Sequence, residues 1–328
     1  MTAIRAAENP LVWALVDDRA GNRSQCLGVA EALGFPYAVK TLHYRKLAGL
    51  PNALVGASFK GLDRKSRAQL APPWPDVVIA AGRRTAPVAR KIGRLSGGRC
   101  FLVQLMHPGA GAAEFGLIAQ PRHDRKRAGG NVLAVTGSPH GLTAATLEAA
   151  ADRWRADFAS LPKPRIALIV GGSTRRRKFT PAMARELGRR ASRMASRAGG
   201  SLLVTTSRRT GGATDDLLAV VKAPNRVFRW GGDDGGENPY VGYIALADAV
   251  IVTGDSASMC SEACATRAPV YIFAPPALTV PKHARLHEQL YAEGYARPLR
   301  GALEAWSHPP LNAASEVAAE IRRRLGVL

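Results

Sequence analysis

The sequence predicts an α/β protein of two Rossmann-like domains facing one another across a cleft. Three observations carry that expectation. Short β-rich runs alternate with helical spacing, and each run stops in a polar or glycine-bearing loop. The pattern opens at Leu11 and starts again at Arg165, after Pro162-Lys163-Pro164 has ended a helix. The stretch Ala247 to Pro276 reads in one pass as strand, loop, helix, strand. The length agrees: 328 residues suit two domains of about 150 each.

Leu11 to Val16 reads as a buried strand that runs into the polar loop Asp17-Asp18-Arg19-Ala20-Gly21-Asn22-Arg23-Ser24-Gln25. A helix follows to Leu33, with Gly34 as its stop, and Tyr37 to Leu42 is a second strand. Tyr44 to Pro75 is irregular. Leu47 to Gly56 is apolar and broken by Gly and Pro, and Lys60, Arg64, Lys65 and Arg67 follow closely. Apolar beside basic suggests contact with an anionic membrane surface; a buried loop followed by a solvated helix fits the same residues. Pro75 to Ala81 is a strand ending in Gly82-Arg83-Arg84-Thr85. Thr85 is placed to cap a helix from Ala86 to Leu95, and Pro87 suits its first turn. Arg83 and Arg84 are candidates for holding an anionic substrate, or are simply solvated loop charges. Three strands then end in loops that each hold a histidine: Cys100 to Met106 closes on His107, Gly116 to Ala119 on His123, and Asn131 to Thr136 on His140. Histidines at three equivalent strand ends point to a cleft. Thr143 to Leu161 is a helix, and the boundary is expected behind it, which gives a first domain of residues 1–161.

The second domain, residues 162–310, repeats the grammar. Arg165 to Val170 is a strand, followed by the tight loop Gly171-Gly172-Ser173-Thr174 and the basic run Arg175 to Lys178. Thr180 is expected to cap a helix that begins at Pro181, ends at Ala198 and is stopped by Gly199-Gly200. Ser201 to Thr206 is a strand ending in Ser207-Arg208-Arg209-Thr210. Asp215 to Val221 is a helix, and Arg226 to Trp230 a strand. The loop from Gly231 to Tyr240 is rich enough in glycine to approach a ligand closely. In the Ala247 to Pro276 stretch the first strand ends in Thr253-Gly254-Asp255-Ser256. Ser258 is expected to cap the next helix, where Met259, Ala263 and Thr266 fall at helical spacing. Amides and hydroxyls at a helix N-terminus there make a candidate phosphate site, and Glu262, about one turn further on, is in reach of a sugar hydroxyl. An ordinary capped βαβ unit is the plainer reading. Lys282 to Gly294 is a helix. Asn312 is placed to cap a last one from Ala313 to Leu325, so that residues 311–328 form a C-terminal helix.

Composition narrows the function. The formal net charge is +21, so acidic partners are expected: nucleic acid, an anionic membrane surface, or phosphorylated substrates. The arginines are spread along the chain without a compact basic block or interleaved aromatics, so no specific nucleic-acid partner is expected. The four cysteines are scattered without a Cys-x-x-Cys pair and suit a reducing compartment. No run reaches the length of a membrane span, and the first apolar run is too short for a signal peptide core. The expected place is the cytoplasm, with peripheral attachment to the inner face of the membrane.

Several stretches together resemble one family. They are Val16-Asp17-Asp18-Arg19-Ala20-Gly21-Asn22, Gly82-Arg83-Arg84-Thr85-Ala86-Pro87, Gln104-Leu105-Met106-His107-Pro108, Gly171-Gly172-Ser173, Glu237-Asn238-Pro239-Tyr240 and Thr253-Gly254-Asp255-Ser256. The chain resembles the bacterial and plant Elm type of mitochondrial-fission proteins, whose bacterial members look like glycosyltransferases. The second half is also similar to the donor-binding half of a GT-B glycosyltransferase. That likeness rests on the Gly171 loop and on the small polar loop with Glu262, and it implies a glutamate that holds the ribose of a nucleotide-sugar. Where such proteins often carry a His or Glu in the first N-terminal loop, this chain offers Asp17 and Asp18.

The expected function is transfer of a sugar from a nucleotide-sugar to a lipid or saccharide acceptor. Asp17, Asp18 and His107 are the candidate catalytic residues, with Asp17 favoured for the cleft and Asp18 for capping the turn. Donor contacts are placed at Gly171, Gly172, Ser173, Thr174, Arg175, Lys178, Ser207, Arg208, Trp230, Asn238, Tyr240, Thr253, Asp255, Ser256, Ser258, Met259 and Glu262. Acceptor or anion contacts are placed at Arg19, Asn22, Gly82, Arg83, Arg84, His123 and His140. No Asp-x-Asp sequence occurs, so no metal and no cofactor is required; arginine, lysine and the helix dipole are to carry the diphosphate charge. Rival readings are a nucleotide-sugar epimerase and a non-catalytic interaction or membrane-remodelling protein on the same fold. A dinucleotide-dependent dehydrogenase is disfavoured, since Gly171-Gly172-Ser173 is not Gly-x-Gly-x-x-Gly.

Overall fold

The structure is a computed structural model, and it describes residues 9–45, 49–124, 129–232 and 236–327. The chain forms two compact units. The first runs to Gly141 and includes the chain from Asn312 onward; the second is Leu142–Leu311.

The first unit is a six-stranded sheet in the order β2-β1-β3-β4-β5-β6. Its strands are β1 (Val12–Val16), β2 (Tyr37–Thr41), β3 (Val77–Ala81), β4 (Phe101–Leu105), β5 (Leu117–Pro121) and β6 (Val132–Val135), all paired in parallel. The helices between them are α1 (Ala20–Leu33), α2 (Asn52–Val55), α3 (Arg64–Ala68) and α4 (Ala86–Leu95). β1 and β3 are apolar throughout because both faces of a parallel sheet are covered. Alternation then sorts their side chains. Val12, Ala14, Val77 and Ile79 go to one core, while Trp13, Leu15, Val78 and Ala80 go to the other.

The second unit repeats the design in the order β12-β11-β10-β7-β8-β9. Its elements are α5 (Ala144–Trp154), β7 (Arg165–Ile169), α6 (Pro181–Arg197), β8 (Ser201–Thr205), α7 (Ala213–Leu218), β9 (Asn225–Phe228), α8 (Tyr240–Leu246), β10 (Ala249–Thr253), α9 (Ala257–Ala263), β11 (Val270–Phe273), α10 (Pro281–Ala292) and β12 (Arg297–Pro298). α6 and α7 cover one face, and α5, α8, α9 and α10 the other. Thr180 caps α6 by accepting from the Met183 amide, as expected. The last helix, α11 (Ala313–Leu325), starts at the Asn312 cap that the sequence indicated.

Four local expectations are corrected. The division falls before α5, not behind it. Trp154 stacks on Phe158 at 5.7 Å and Phe158 meets Tyr243 of α8 at 5.2 Å, so α5 belongs to the second unit. α11 joins the first unit. Its Val317, Ala318 and Ile321 enter the core beside α1, and Arg322 donates to the Ala32 and Leu33 carbonyls at the end of α1, both at 2.8 Å. Ser256, not Ser258, caps α9 by accepting from the Met259 amide, since Ser256 has the extended backbone of a cap and Ser258 is already helical. Thr85 does not cap α4 through its side chain: its hydroxyl donates to the Ala81 carbonyl at 2.8 Å instead. Within the described residues no helix is long and apolar enough to cross a membrane.

Candidate functional site

In each sheet the strand order reverses once, between β1 and β3 and between β7 and β10. Open α/β sheets bind ligands outside the carboxyl ends of the strands at such a switch point.

In the second unit three strand ends are laced together. The Gly171 amide, after β7, donates to Thr253 Oγ1 at 2.8 Å, and the Gly172 amide donates to Asp255 Oδ2 at 3.1 Å. The Ser173 amide donates to the Arg209 carbonyl at 2.9 Å. Ser207 and Thr210, after β8, donate their hydroxyls to the Gly171 carbonyl at 2.6 and 2.5 Å. This lacing requires glycine. A Cβ on Gly171 would lie 2.4 Å from Asp255 Oδ2, and one on Gly172, at φ 141°, would lie 2.2 Å from the Arg209 carbonyl oxygen. The glycine loop therefore spends these amides on the protein itself. The cation beside it is Arg209, whose guanidinium donates to Asp255 and reaches Met259 Sδ at 3.8 Å. The Asp255 side chain is fully buried and its Oδ1 has no hydrogen-bond partner among the described residues, while about a third of the Arg209 side chain is exposed. One helical turn past Met259, Glu262 accepts from the Tyr240 hydroxyl at 2.5 Å. Burial, and then the Glu262 charge, pushes the Tyr240 phenol well up, so it stays a donor. His283, in the first turn of α10, is held below the ordinary imidazole value by burial and then by Lys282.

The other donor candidates sit apart from this lattice. Thr174 closes a turn by accepting from the Arg176 and Arg177 amides, and Arg175 and Lys178 are exposed beyond it. Arg208 is exposed, Asn238 accepts from the Tyr240 amide at 3.0 Å, and Trp230, past the end of β9, is 54% exposed. Ser258 is half-buried in the first turn of α9. Beyond β11 a cavity of about 690 Å³ is walled by Phe273, Pro275, Pro298 and Tyr291 and carries Glu186, Arg190 and Glu288.

In the first unit Arg84 is the centre. Its guanidinium donates to Asp17 Oδ2 at 2.9 Å and to Asp18, and lies 4.9 Å over the Tyr44 ring. Asp17 is buried and also accepts from Asn22 at 3.2 Å and from the Arg19 amide at 3.2 Å. This reverses the expected division between the aspartates: Asp17 organises the turn, and Asp18, 67% exposed in its side chain, faces outward. The physical reason is that Asp17 directly follows a fully buried strand, and its side chain turns back toward the start of α1. Gly82 has φ 80°, and a Cβ there would meet Asn22 Nδ2 at 2.7 Å. Gln104 donates from β4 to the Gly82 carbonyl at 2.9 Å. His107 accepts from the Gly109 amide at 3.0 Å, just after Met106, which holds the left-handed φ of 67° that non-glycine residues avoid. Arg19 and Arg83 are exposed. His123 and His140 are buried at the next two strand ends.

Sequence reasoning missed Arg209, Thr210, Tyr44, Gln104 and His283. Arg208 and Arg209 are identical neighbours, and nothing in the sequence separates the one that turns inward.

The sequence matches the family described as Mitochondrial fission ELM1 over residues 20–325. It is 31% identical over 299 residues to Mitochondrial fission protein ELM1 of Arabidopsis thaliana, covering 83% of this chain and 69% of that one. It is 29% identical over 356 residues to Uncharacterized protein RP120 of Rickettsia prowazekii (strain Madrid E), covering 96% and 99%. Among solved structures it is similar to a UDP-GlcNAc 2-epimerase from Neisseria meningitidis bound to UDP-GlcNAc. The TM-score is 0.51 at 11% identity, over 96% of this chain and 100% of that one. The fold is thus the expected GT-B-like one of two Rossmann-like units. With its family signature running from α1 to the end of α11, the chain belongs to the mitochondrial fission ELM1 family.

Proposed function

We propose that the protein is a glycosyltransferase that takes a nucleotide-sugar in its second unit and transfers the sugar to a lipid or saccharide acceptor. One observation carries the reading. At the β7–β10 switch point a part-exposed guanidinium, Arg209, is pre-set by a buried carboxylate. On α9, Met259 beneath it and Glu262 lie three residues apart, hence on one helix face. A fixed cation suits a diphosphate, and a carboxylate suits ribose hydroxyls. The cavity beyond β11, with its carboxylates, arginine and aromatic wall, suits the sugar. The family membership and the shared fold are compatible with this reading and do not by themselves assign the reaction.

In the proposed reaction the acceptor oxygen loses its proton to a base and bonds to the anomeric carbon. The bond from that carbon to the diphosphate oxygen breaks, and its electron pair leaves with the diphosphate, which Arg209 stabilises. Asp18 and His107 are the proposed bases: both aspartates pair with Arg84, but Asp17 is buried and also holds Asn22 and the turn, while Asp18 is exposed. Peripheral attachment at the cytoplasmic face of a membrane belongs to the same reading, since that is where a lipid acceptor is met.

The test is thermal unfolding with nucleoside diphosphates and UDP-GlcNAc. At ~100 times Kd the expected gain is about 2.7 kcal/mol, and Glu262→Gln, which keeps an acceptor for the Tyr240 hydroxyl, should lose most of it while melting close to wild type without ligand. No shift with any nucleoside diphosphate would overturn the reading. Epimerised sugar formed without an acceptor would replace transfer by epimerisation.

A further inference from the structure

The stretch Leu50-Pro51-Asn52-Ala53-Leu54 has its polarity inside out. Asn52, the polar member, is buried at 6% exposure, while Leu50 is 44% and Leu54 75% exposed, with Pro51 and Ala53 exposed between them. The inversion is built. The Asn52 amide group donates to the Arg83 carbonyl at 2.9 Å and to the Pro108 carbonyl at 2.7 Å. The Arg83 guanidinium donates back to the Leu50 carbonyl at 2.5 Å and the Gly49 carbonyl at 3.4 Å. Four bonds therefore fasten the short α2 turn to the β3–α4 loop and to the loop after β4. Leucines left in water on a turn held this firmly are not the result of a loose chain. Leu54 is the most exposed large apolar side chain among the described residues. An apolar protrusion that the fold fixes outward marks an interaction surface.

Charge selects the partner. Lys60, Arg64 and Lys65 follow within one short segment and are exposed. That segment is held close to the end of α2 and to α4: the Ser58 hydroxyl donates to the Val55 carbonyl, the Ser58 amide to the Pro87 carbonyl, and Arg67 to the Phe59 and Lys60 carbonyls. Aliphatic tips beside lysine and arginine fit a bilayer with anionic headgroups, where the leucines enter the acyl boundary and the cations stay at the phosphate level.

We propose that Leu50 and Leu54 form an insertion wedge for an anionic bilayer surface, with Lys60, Arg64 and Lys65 as its headgroup contacts. The wedge is bolted through Asn52 and Arg83 to the two loops that carry Arg84 and His107, so membrane contact and the candidate acceptor residues share one rigid support. The inference rests on the proposed reading only for why an acceptor would be met at a membrane. Its test uses no nucleotide, so the two can fail separately.

The test is sedimentation of the full chain with vesicles of phosphatidylcholine alone and of phosphatidylcholine with phosphatidylserine. Wild type should pellet with the anionic vesicles only. Leu50→Ser/Leu54→Ser should weaken partitioning by about ten-fold or more. Lys60→Glu/Arg64→Glu/Lys65→Glu should abolish it, at roughly five-fold per charge. Both variants change exposed side chains, and unchanged melting confirms that they are folded. An unbound wild type overturns the proposal. So does a leucine variant that binds like wild type, which would leave only diffuse electrostatics. A leucine variant that turns a dimer into a monomer would assign the surface to a second copy instead.

Discussion

Arg209 and Asp255 meet across two strand ends. The Asp255 carboxylate, fully buried after β10, accepts from the Arg209 guanidinium, which follows β8, and from the Gly172 amide, which follows β7. One oxygen thus ties three loops of the switch point. Arg209→Ala should cost about 3 kcal/mol by leaving a buried charge short of its partner. Arg209→Met/Asp255→Asn, which removes the buried charge but keeps an acceptor for the Gly172 amide, should recover much of that stability without recovering affinity for a nucleoside diphosphate. Urea unfolding and calorimetry read the two quantities, and an Arg209→Ala protein with unchanged affinity would remove Arg209 from the anion site.

Gly172 and Gly211 both have positive φ, 141° and 54°, but only Gly172 is crowded. Gly211→Ala should cost about 1 kcal/mol, the left-handed backbone alone. Gly172→Ala should cost at least about 2 kcal/mol, because the added carbon meets the Arg209 backbone, which cannot move aside cheaply. Equal midpoints in denaturant would contradict the lacing of the loops.

The two aspartates of the first unit should behave differently. Asp17→Asn weakens the pairing with Arg84 in a buried position and should lose about 2 kcal/mol. Asp18→Asn changes an exposed pair and should stay within about 0.5 kcal/mol. If Asp18 is the base, turnover of the Asp18→Asn protein falls by roughly 10²–10⁴-fold at normal stability. Normal turnover moves the assignment to His107.

Acid should loosen α11. Glu320 is held at about 2 by its bond to Arg323, against the opposing effect of burial, with Arg324 adding to the lowering. A carboxylate depressed in the folded state contributes fully above its unfolded value, near 4.5, and its contribution is lost as pH falls through about 2. Glu320→Gln should therefore lower stability at neutral pH and flatten its decline between those two values. A parallel pH profile in the variant would show that the Arg323 and Arg324 pairs contribute nothing.

The elements were legible where the signal is local. Pro181 after Thr180, Gly34 after Leu33 and Asn312 before Ala313 mark helix ends through neighbouring residues only, and all three stand in the structure. The last strand, Arg297–Pro298, carried no such signal. It is two exposed residues long and is a strand only because β11 lies beside it. The candidate site was legible as a place, since polar loops after apolar runs mark strand ends. It was not legible as a set of contacts.

What the sequence by itself determined is the pair of β-α-β halves, the loops that carry the polar residues and the family. Hydrophobic period, caps and motifs are properties of consecutive residues and survive without knowledge of the fold. The tertiary structure decided that α5 goes with the second unit and α11 with the first, that Arg209 rather than Arg208 turns inward, that Asp17 is buried and Asp18 is not, and that Asn52 hides while Leu54 stands in water. Each of these depends on which distant strand end lies opposite, and a one-residue turn of the backbone reverses the direction of a side chain.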